Sequence, residues 1–254
     1  MNWHDGRMHA FPDTRPGLPS LPEGYRVMVI GASGGIGRAI CDWLEADPRC
    51  ARVQRLGRQA QAGVPAVDFQ QPDSMQAAAQ ALQDGQPWHA LIVASGILHG
   101  PALRPEKRLA DLEAAAFSQV LTINTVGPAL ALRHFTPLLP RHPQARSLVG
   151  VLSARVGSIG DNRLGGWMAY RASKAALNMV VKTAAIELAR THKGLALAAL
   201  HPGTVRTGLS EPFDGHSRGR DPMEAAAQLL QVLDALQPED SGCFKAYDGQ
   251  SLPW

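Results

Sequence analysis

Apolar residues fall in short runs that alternate with stretches of helical spacing. Arg26 to Ile30 (RVMVI) is a compact apolar run ending in glycines, which predicts a buried strand. Ile36 to Ala46 has the spacing of a helix. Val53–Leu56 predicts a second, weaker strand and Val64–Val67 a third, followed by a helix over Asp73–Leu82. His89–Ala94 predicts the next strand. Leu112–Leu139 reads as helical, with Pro128 predicting a bend and Pro137 an end. Ser147–Leu152 is again strand-like, Met168–Thr191 a long helix, and Leu195–Leu200 a strand. Pro222–Leu236 predicts a last helix, and Cys243–Tyr247 a last strand before the Asp248-Gly249 turn. Strands that alternate with helices predict an α/β fold, a doubly wound parallel sheet with helices on both faces. No linker interrupts residues 25–254, which read as one domain. Residues 1–24 differ. Pro12, Pro16, Pro19 and Pro22 recur there with Gly17, Gly24 and few large aliphatics, so this stretch reads as a flexible, extended tail.

Composition narrows the field. The chain has 254 residues, 45% hydrophobic and 19% charged, enough to bury a sizeable core and too apolar for a disordered chain. No apolar run reaches the roughly eighteen residues that suggest a transmembrane helix, and no stretch near the first residue has signal-peptide character. The expectation is no membrane partner. Cys41, Cys50 and Cys243 form neither metal spacing nor a disulfide framework, which suits a reducing cytoplasm. A net charge of +3 without a Lys/Arg block argues against a nucleic-acid partner. The nine histidines have no ligand spacing, so no metal site is expected.

The first strand runs into Gly31-Ala32-Ser33-Gly34-Gly35-Ile36-Gly37 and then a helix. Glycines permit a tight turn and close approach of backbone to a pyrophosphate. The helix that follows offers unpaired N–H groups and the positive end of its dipole. This predicts a dinucleotide site. An acidic residue about 20 residues past the glycines would hold a ribose 2′-hydroxyl, whereas an arginine suits a 2′-phosphate. No Asp or Glu lies between Asp47 and Asp68, and the stretch carries Arg49, Arg52, Arg55 and Arg58. Arg58 falls just past the second strand, so the reading favours NADP(H) over NAD(H).

Tyr170-Arg171-Ala172-Ser173-Lys174 puts a phenol and an ammonium one helical turn apart on the same face. A free tyrosine titrates near pH ~10, and a neighbouring positive charge lowers that value toward a useful acid/base range.

These segments together resemble the short-chain dehydrogenase/reductase family over nearly all of 25–254. The resemblance rests on Gly31, Gly35 and Gly37, on Ala94-Ser95-Gly96, on Asn124 within Ile123–Gly127, on Tyr170 and Lys174, and on His201-Pro202-Gly203-Thr204-Val205-Arg206-Thr207. Arg155–Asn162, Gly165-Gly166-Trp167 and Tyr247–Gln250 are similar to its C-factor-like and sniffer-like carbonyl reductase branch. The resemblance implies a Rossmann-type fold and transfer of hydride between a nicotinamide and a carbonyl or alcohol substrate. It implies that Tyr170 is the general acid/base and that Lys174 holds the nicotinamide ribose and lowers the pKa of Tyr170. Asn124 would anchor a water that relays protons to Lys174. Pro202 and Gly203 would pass beside the nicotinamide, with Thr204 and Thr207 reaching its amide or the phosphates. Asp68 and Phe69 would contact adenine. Similar proteins pack the helices equivalent to Leu112–Leu139 and Met168–Thr191 in homodimers or homotetramers.

The chain departs from the family at two places. Ala94 stands where an asparagine is usual. The family's serine, three residues before a glycine, would fall on Ala154. Ser153 by a local bulge, Ser158, or no serine at all remain as readings, with Ser153 preferred. That departure sustains a second hypothesis, a nucleotide-binding signalling or regulatory module with vestigial catalysis. Gly208–Asp221 matches the position of a substrate lid. His99, Trp167 and Met168 are potential pocket residues.

Overall fold

The computed structural model describes residues 17–61, 63–213, 217 and 219–254. Six parallel strands form one sheet: β1 (Tyr25–Ile30), β2 (Cys50–Leu56), β3 (Ala90–Val93), β4 (Ser147–Leu152), β5 (Leu195–His201) and β6 (Cys243–Ala246). Their spatial order is β2-β1-β3-β4-β5-β6. The helices are α1 (Gly35–Glu45), α2 (Asp73–Ala81), α3 (Ala114–Leu121), α4 (Gly127–Phe135), α5 (Met168–Leu188) and α6 (Pro222–Ala235).

Strand alternation divides the core in two. Met28 and Ile30 of β1 join Leu91 and Val93 of β3 in a core shared with α2, α4 and α5. Val27 and Val29, with Ala90 and Ile92, face the opposite core beneath α1 and α6. Both faces are covered, which is why the strands read as unbroken apolar runs. The chain order reverses between β1 and β3, and a crevice opens outside their carboxyl ends.

Two expectations change. Val64–Val67 is not a strand. Gly63 takes φ 77° and Gln61 pairs with Val64 in a tight antiparallel bridge. Pro65 has no N–H for a ladder. Val64 and Val67 are buried as separate plugs of the core, so their apolarity imitated a strand. The sheet therefore has six strands among the described residues, with β2 and β6 at its edges.

The second change concerns the expected tail. Residues 1–16 lie outside the described residues, but 17–24 pack as a strap. Leu18 and Leu21 are 0% and 2% exposed beneath the α1/α6 core. The Leu18 amide donates to the Tyr25 hydroxyl, which donates to buried Asp47 at 2.6 Å. Ser20 accepts from Arg146 and its amide donates to Asp234.

Helical structure from Ala114 to Leu138 is long and apolar enough, at mean hydropathy 1.3, to cross a membrane, contrary to the sequence reading. In the fold this run packs against α5, and it carries Asn124, fully buried, at its middle. The expected bend at Pro128 is a widened turn. Thr122–Val126 is π-helical, with the Gly127 amide bonded to the Thr122 carbonyl. Pro128 has no N–H for the carbonyl of Asn124 four residues back, so that carbonyl lacks its usual helical donor.

Candidate active site

The glycine turn sits at the carboxyl end of β1. Gly31 takes φ 86°, and a Cβ there would lie 2.6 Å from Ser95 Oγ and 2.8 Å from the Ser95 amide. A Cβ on Gly37 would lie 2.2 Å from the Gly31 carbonyl oxygen. These two glycines are required by the close packing of the turn itself. Gly37 is buried and does not line the crevice. Gly34, Gly35, Ile36 and Ser33 do line it. Helix α1 starts there without a side-chain cap and without an acidic residue in its first turn. Its first N–H groups are thus left for an anion, and the residues fit a pyrophosphate.

One end of the crevice suits an adenosine. It is lined by Gly31, Ser33, Gly57, Arg58, Asp68, Phe69, Ala94, Ser95 and Gly96. Three of the four arginines after α1 have structural partners. Arg49 bonds Glu23 and the Leu21 carbonyl, Arg52 bonds Asp84 and Gln54, and Arg55 bonds Asp42 and Glu45. Among the described residues Arg58 has no such partner. Phe69 is 6% exposed and packs against Gly127, where a Cβ would lie 2.2 Å from its ring. Asp68 accepts from the Gln70 amide.

The other end joins Tyr170 and Lys174 to Leu152, Ser153, Pro202, Thr207, Gly208 and Leu209. Helix α5 buries Ala169, Ser173, Leu177, Val181 and Ala185 at a strict spacing of four. This stripe fixes the roll of the helix, and Lys174, beside it, is carried into the interior at 3% exposure. Lys174 Nζ donates to the Leu152 carbonyl at 3.0 Å and lies 5.8 Å from the Tyr170 ring centre. An ammonium has three donors, so two remain. Asn124 donates to the Ile97 carbonyl and to Ser173 Oγ, and accepts from the Ile97 amide. Ser173 in turn donates to the Tyr170 carbonyl. The Asn124 side chain therefore ties the loop after β3 to the Tyr170–Lys174 turn of α5.

The expected lowering of Tyr170 by Lys174 is not what burial produces. Desolvation pushes Tyr170 up to about 12 and Lys174 down to about 8, because each charged form loses water.

Several expected positions need correction. Ser153 lines the cleft, but its hydroxyl donates to Asn178 Oδ1 at 2.6 Å. The Ser158 hydroxyl bonds the Trp254 carbonyl and accepts from the Asp161 amide. Among the described residues neither hydroxyl bonds Tyr170. Thr204 is exposed and does not line the cleft, since its carbonyl is bound by the Arg220 amide in the bridge between Val205 and Arg220. Gly203, at φ 75°, backs onto Tyr247 and leaves Pro202 as the lining member of that pair.

One residue escaped the sequence reading. Glu106 is 6% exposed and accepts from the Ala169 amide at the start of α5. In the sequence it stands in the charged run Glu106-Lys107-Arg108, which gives no signal of burial.

Residues 26–217 match the model of the short chain dehydrogenase family. The 1-hydroxy-2-glutathionyl-2-methyl-3-butene dehydrogenase of Rhodococcus sp. (strain AD45) is 34% identical over 234 residues, 90% of this chain and 99% of that relative. The C-signal of Myxococcus xanthus is 38% identical over 147 residues, 58% of this chain and 83% of that relative. NADPH-bound carbonyl reductase from chicken fatty liver superposes with a TM-score of 0.78 at 26% identity, covering 94% of this chain and 99% of that one. Carbonyl reductase Sniffer of D. melanogaster shares the fold, with a TM-score of 0.75 at 22% identity, covering 91% of this chain and 100% of that one.

Proposed function

The chain belongs to the short chain dehydrogenase family of oxidoreductases, and on that premise we propose that it interconverts a carbonyl compound and its alcohol with NADP(H). The observation that carries this reading is the meeting of Tyr170, Lys174 and the uncapped start of α1 on one cleft. A nicotinamide dinucleotide, when bound, supplies or takes up hydride at the carbonyl carbon.

The chain's own residues do the rest. The free N–H groups of α1 hold the pyrophosphate. Arg58 would hold the 2′-phosphate by charge-assisted hydrogen bonds, and Asp68 and Phe69 line the end of the crevice that would take the adenine. Pro202 and Thr207 border the nicotinamide end. Tyr170 gives its hydroxyl proton to the substrate oxygen in reduction and takes it back in oxidation. Lys174 has two remaining donors that would hold the ribose hydroxyls. With its pKa near 8 it can pass a proton at neutral pH. Asn124, buried and bonded to Ser173 of α5, is the residue that would hold a relay water. The chicken carbonyl reductase, whose structure holds NADPH, supports the choice of cofactor. Val126, Met179 and Ile186 are exposed on the helices that similar proteins use for packing, which supports a homodimer or homotetramer.

A second reading, a nucleotide-binding module with little or no turnover, draws on the committed hydroxyls of Ser153 and Ser158. One experiment separates the two. The protein is titrated with NADPH and with NADH by fluorescence, then assayed against a panel of aldehydes and ketones beside Tyr170→Phe. The enzyme reading expects turnover that Tyr170→Phe loses while still binding cofactor. Stoichiometric NADPH binding without turnover favours the module, and binding of neither nucleotide refutes both.

A further inference from the structure

Helix α5 begins in an unusual way. Its cap, Trp167, has φ 51° and ψ 45° and makes no side-chain cap. Gly165 and Gly166 before it are left-handed too, but glycine adopts that conformation freely. For a bulky residue it is costly, and among the described residues Trp167 is the sole non-glycine with positive φ. Something must hold it there.

Glu106 does so from a different loop. Its carbonyl accepts from the Trp167 amide at 2.6 Å, and its carboxylate accepts from the Ala169 amide at 3.3 Å. A buried carboxylate at a helix start is favoured by the dipole and by the orphan amides, so Glu106 supplies the missing cap across space. Arg171 clamps the other side of the turn by bonding the Gly165 and Gly166 carbonyls.

The left-handed backbone leaves the indole beside Tyr170, which lines the cleft. Trp167 lies edge-on to Tyr170, ring centres 6.4 Å apart, and edge-on to Phe213 at 4.9 Å. Phe213 meets His99 at 5.7 Å, and His99 Nε2 lies 2.9 Å from the carbonyl of cleft-lining Gly208. A chain of ring contacts thus runs from Tyr170 through Trp167 and Phe213 to His99, beside cleft-lining Gly208. Such edges favour a flat apolar group, and a bare charge entering beside them would lose hydration.

We propose that Trp167 is a specificity-determining residue and Glu106 its positioning residue, together setting an aromatic wall beside Tyr170 that selects carbonyl substrates bearing a flat apolar group. This inference rests on the oxidoreductase reading above. The test is steady-state kinetics with NADPH on benzaldehyde and butanal for the wild type, Trp167→Ala, Glu106→Ala, Glu106→Gln and the Trp167→Ala/Glu106→Ala double variant. The wild type should prefer benzaldehyde in kcat/KM. Trp167→Ala should cut that preference about tenfold, the size of one aromatic edge contact, chiefly through KM. Glu106→Ala should reproduce the change, and Glu106→Gln, whose amide oxygen still accepts, should restore it. The double variant should go no further than either single one.

A preference unmoved by Trp167→Ala overturns the inference, as does Glu106→Ala that loses rate equally on both aldehydes or Glu106→Gln that behaves like Glu106→Ala. If Glu106→Ala fails to fold, Trp167→Ala and Trp167→Phe beside Glu106→Gln still decide it. A wild type that reduces no carbonyl overturns the functional reading and this inference with it. Turnover with unmoved selectivity overturns this inference alone.

Discussion

Leu18→Ala tests whether the strap ahead of β1 belongs to the folded unit. Leu18 is 0% exposed, so the substitution removes a full aliphatic side chain from a closed site. Comparable buried truncations cost roughly 2–5 kcal/mol. The loss has a ceiling, because once it exceeds the strap's own docking free energy the strap detaches and no further stability is lost. The bonds of Ser20 to Arg146 and Asp234, at about 1 kcal/mol net each, help keep that ceiling above the substitution's cost. A loss of about 3 kcal/mol with a urea slope of about 3 kcal/mol/M moves the midpoint by about 1 M. The assay is urea unfolding followed by far-UV circular dichroism, with Leu109→Ala as control. Leu109 is 72% exposed, so its truncation should stay within about 0.5 kcal/mol. Equal midpoints for the two variants would refute the argument and return residues 17–24 to the status of a tail.

Other consequences are open to measurement. Arg58→Ala should weaken NADPH binding about 10- to 100-fold while leaving NADH nearly unchanged, read by fluorescence titration. Lys174 is lowered by burial to about 8 in the fold against 10.5 for its ordinary value, so at this group the unfolded chain binds more protons between those limits and its own contribution to stability rises with pH across them. That contribution is on the order of 3 kcal/mol, read as the change in the stability difference between the wild type and Lys174→Met in urea midpoints taken from pH 7 to 10.5. Cys41 and Cys50, raised by burial from 9.0 to about 12 and about 11, work the opposite way above pH 9, and Tyr170, raised from 10.0 to about 12, does so above pH 10, so the difference between the wild type and Lys174→Met is what isolates the lysine. Gly37→Ala drives a Cβ to 2.2 Å from the Gly31 carbonyl oxygen, and should cost roughly 3 kcal/mol as well as NADPH binding; a stable variant with normal affinity would contradict the packing argument.

What could be read from the chain follows from how far each signal reaches. The strands β1, β3, β4 and β5 are buried on both faces, so their local composition announces them. The spacing of Tyr170 and Lys174 is set by one helical turn and needs no tertiary knowledge. Val64–Val67 misled because buried plugs and buried strands share a composition, and only the neighbouring Gly63 and Pro65 carried the difference. The strap was hidden by its prolines, since Leu18 and Leu21 are two aliphatics among turn residues. Ser153 turns its hydroxyl to Asn178, a partner 25 positions away. Glu106 serves a helix 63 residues further on, and no local pattern encodes that contact.

The missing third strand leaves β2 as an open border of the sheet. Its outer amides and carbonyls are a template on which a foreign chain could add itself. The arginines along this strand are what stands at that border. Arg55 is held by Asp42 and Glu45, and Arg52 is half-exposed beside Asp84. Bulky charges so anchored cannot be cleared without breaking their pairs, which makes docking of another strand unfavourable. The run of arginines from which Arg58 was singled out thus also places charge along an open sheet edge, where charge disfavours strand addition. Arg58, just past the end of the strand, is the member of the series to which the proposed phosphate contact falls.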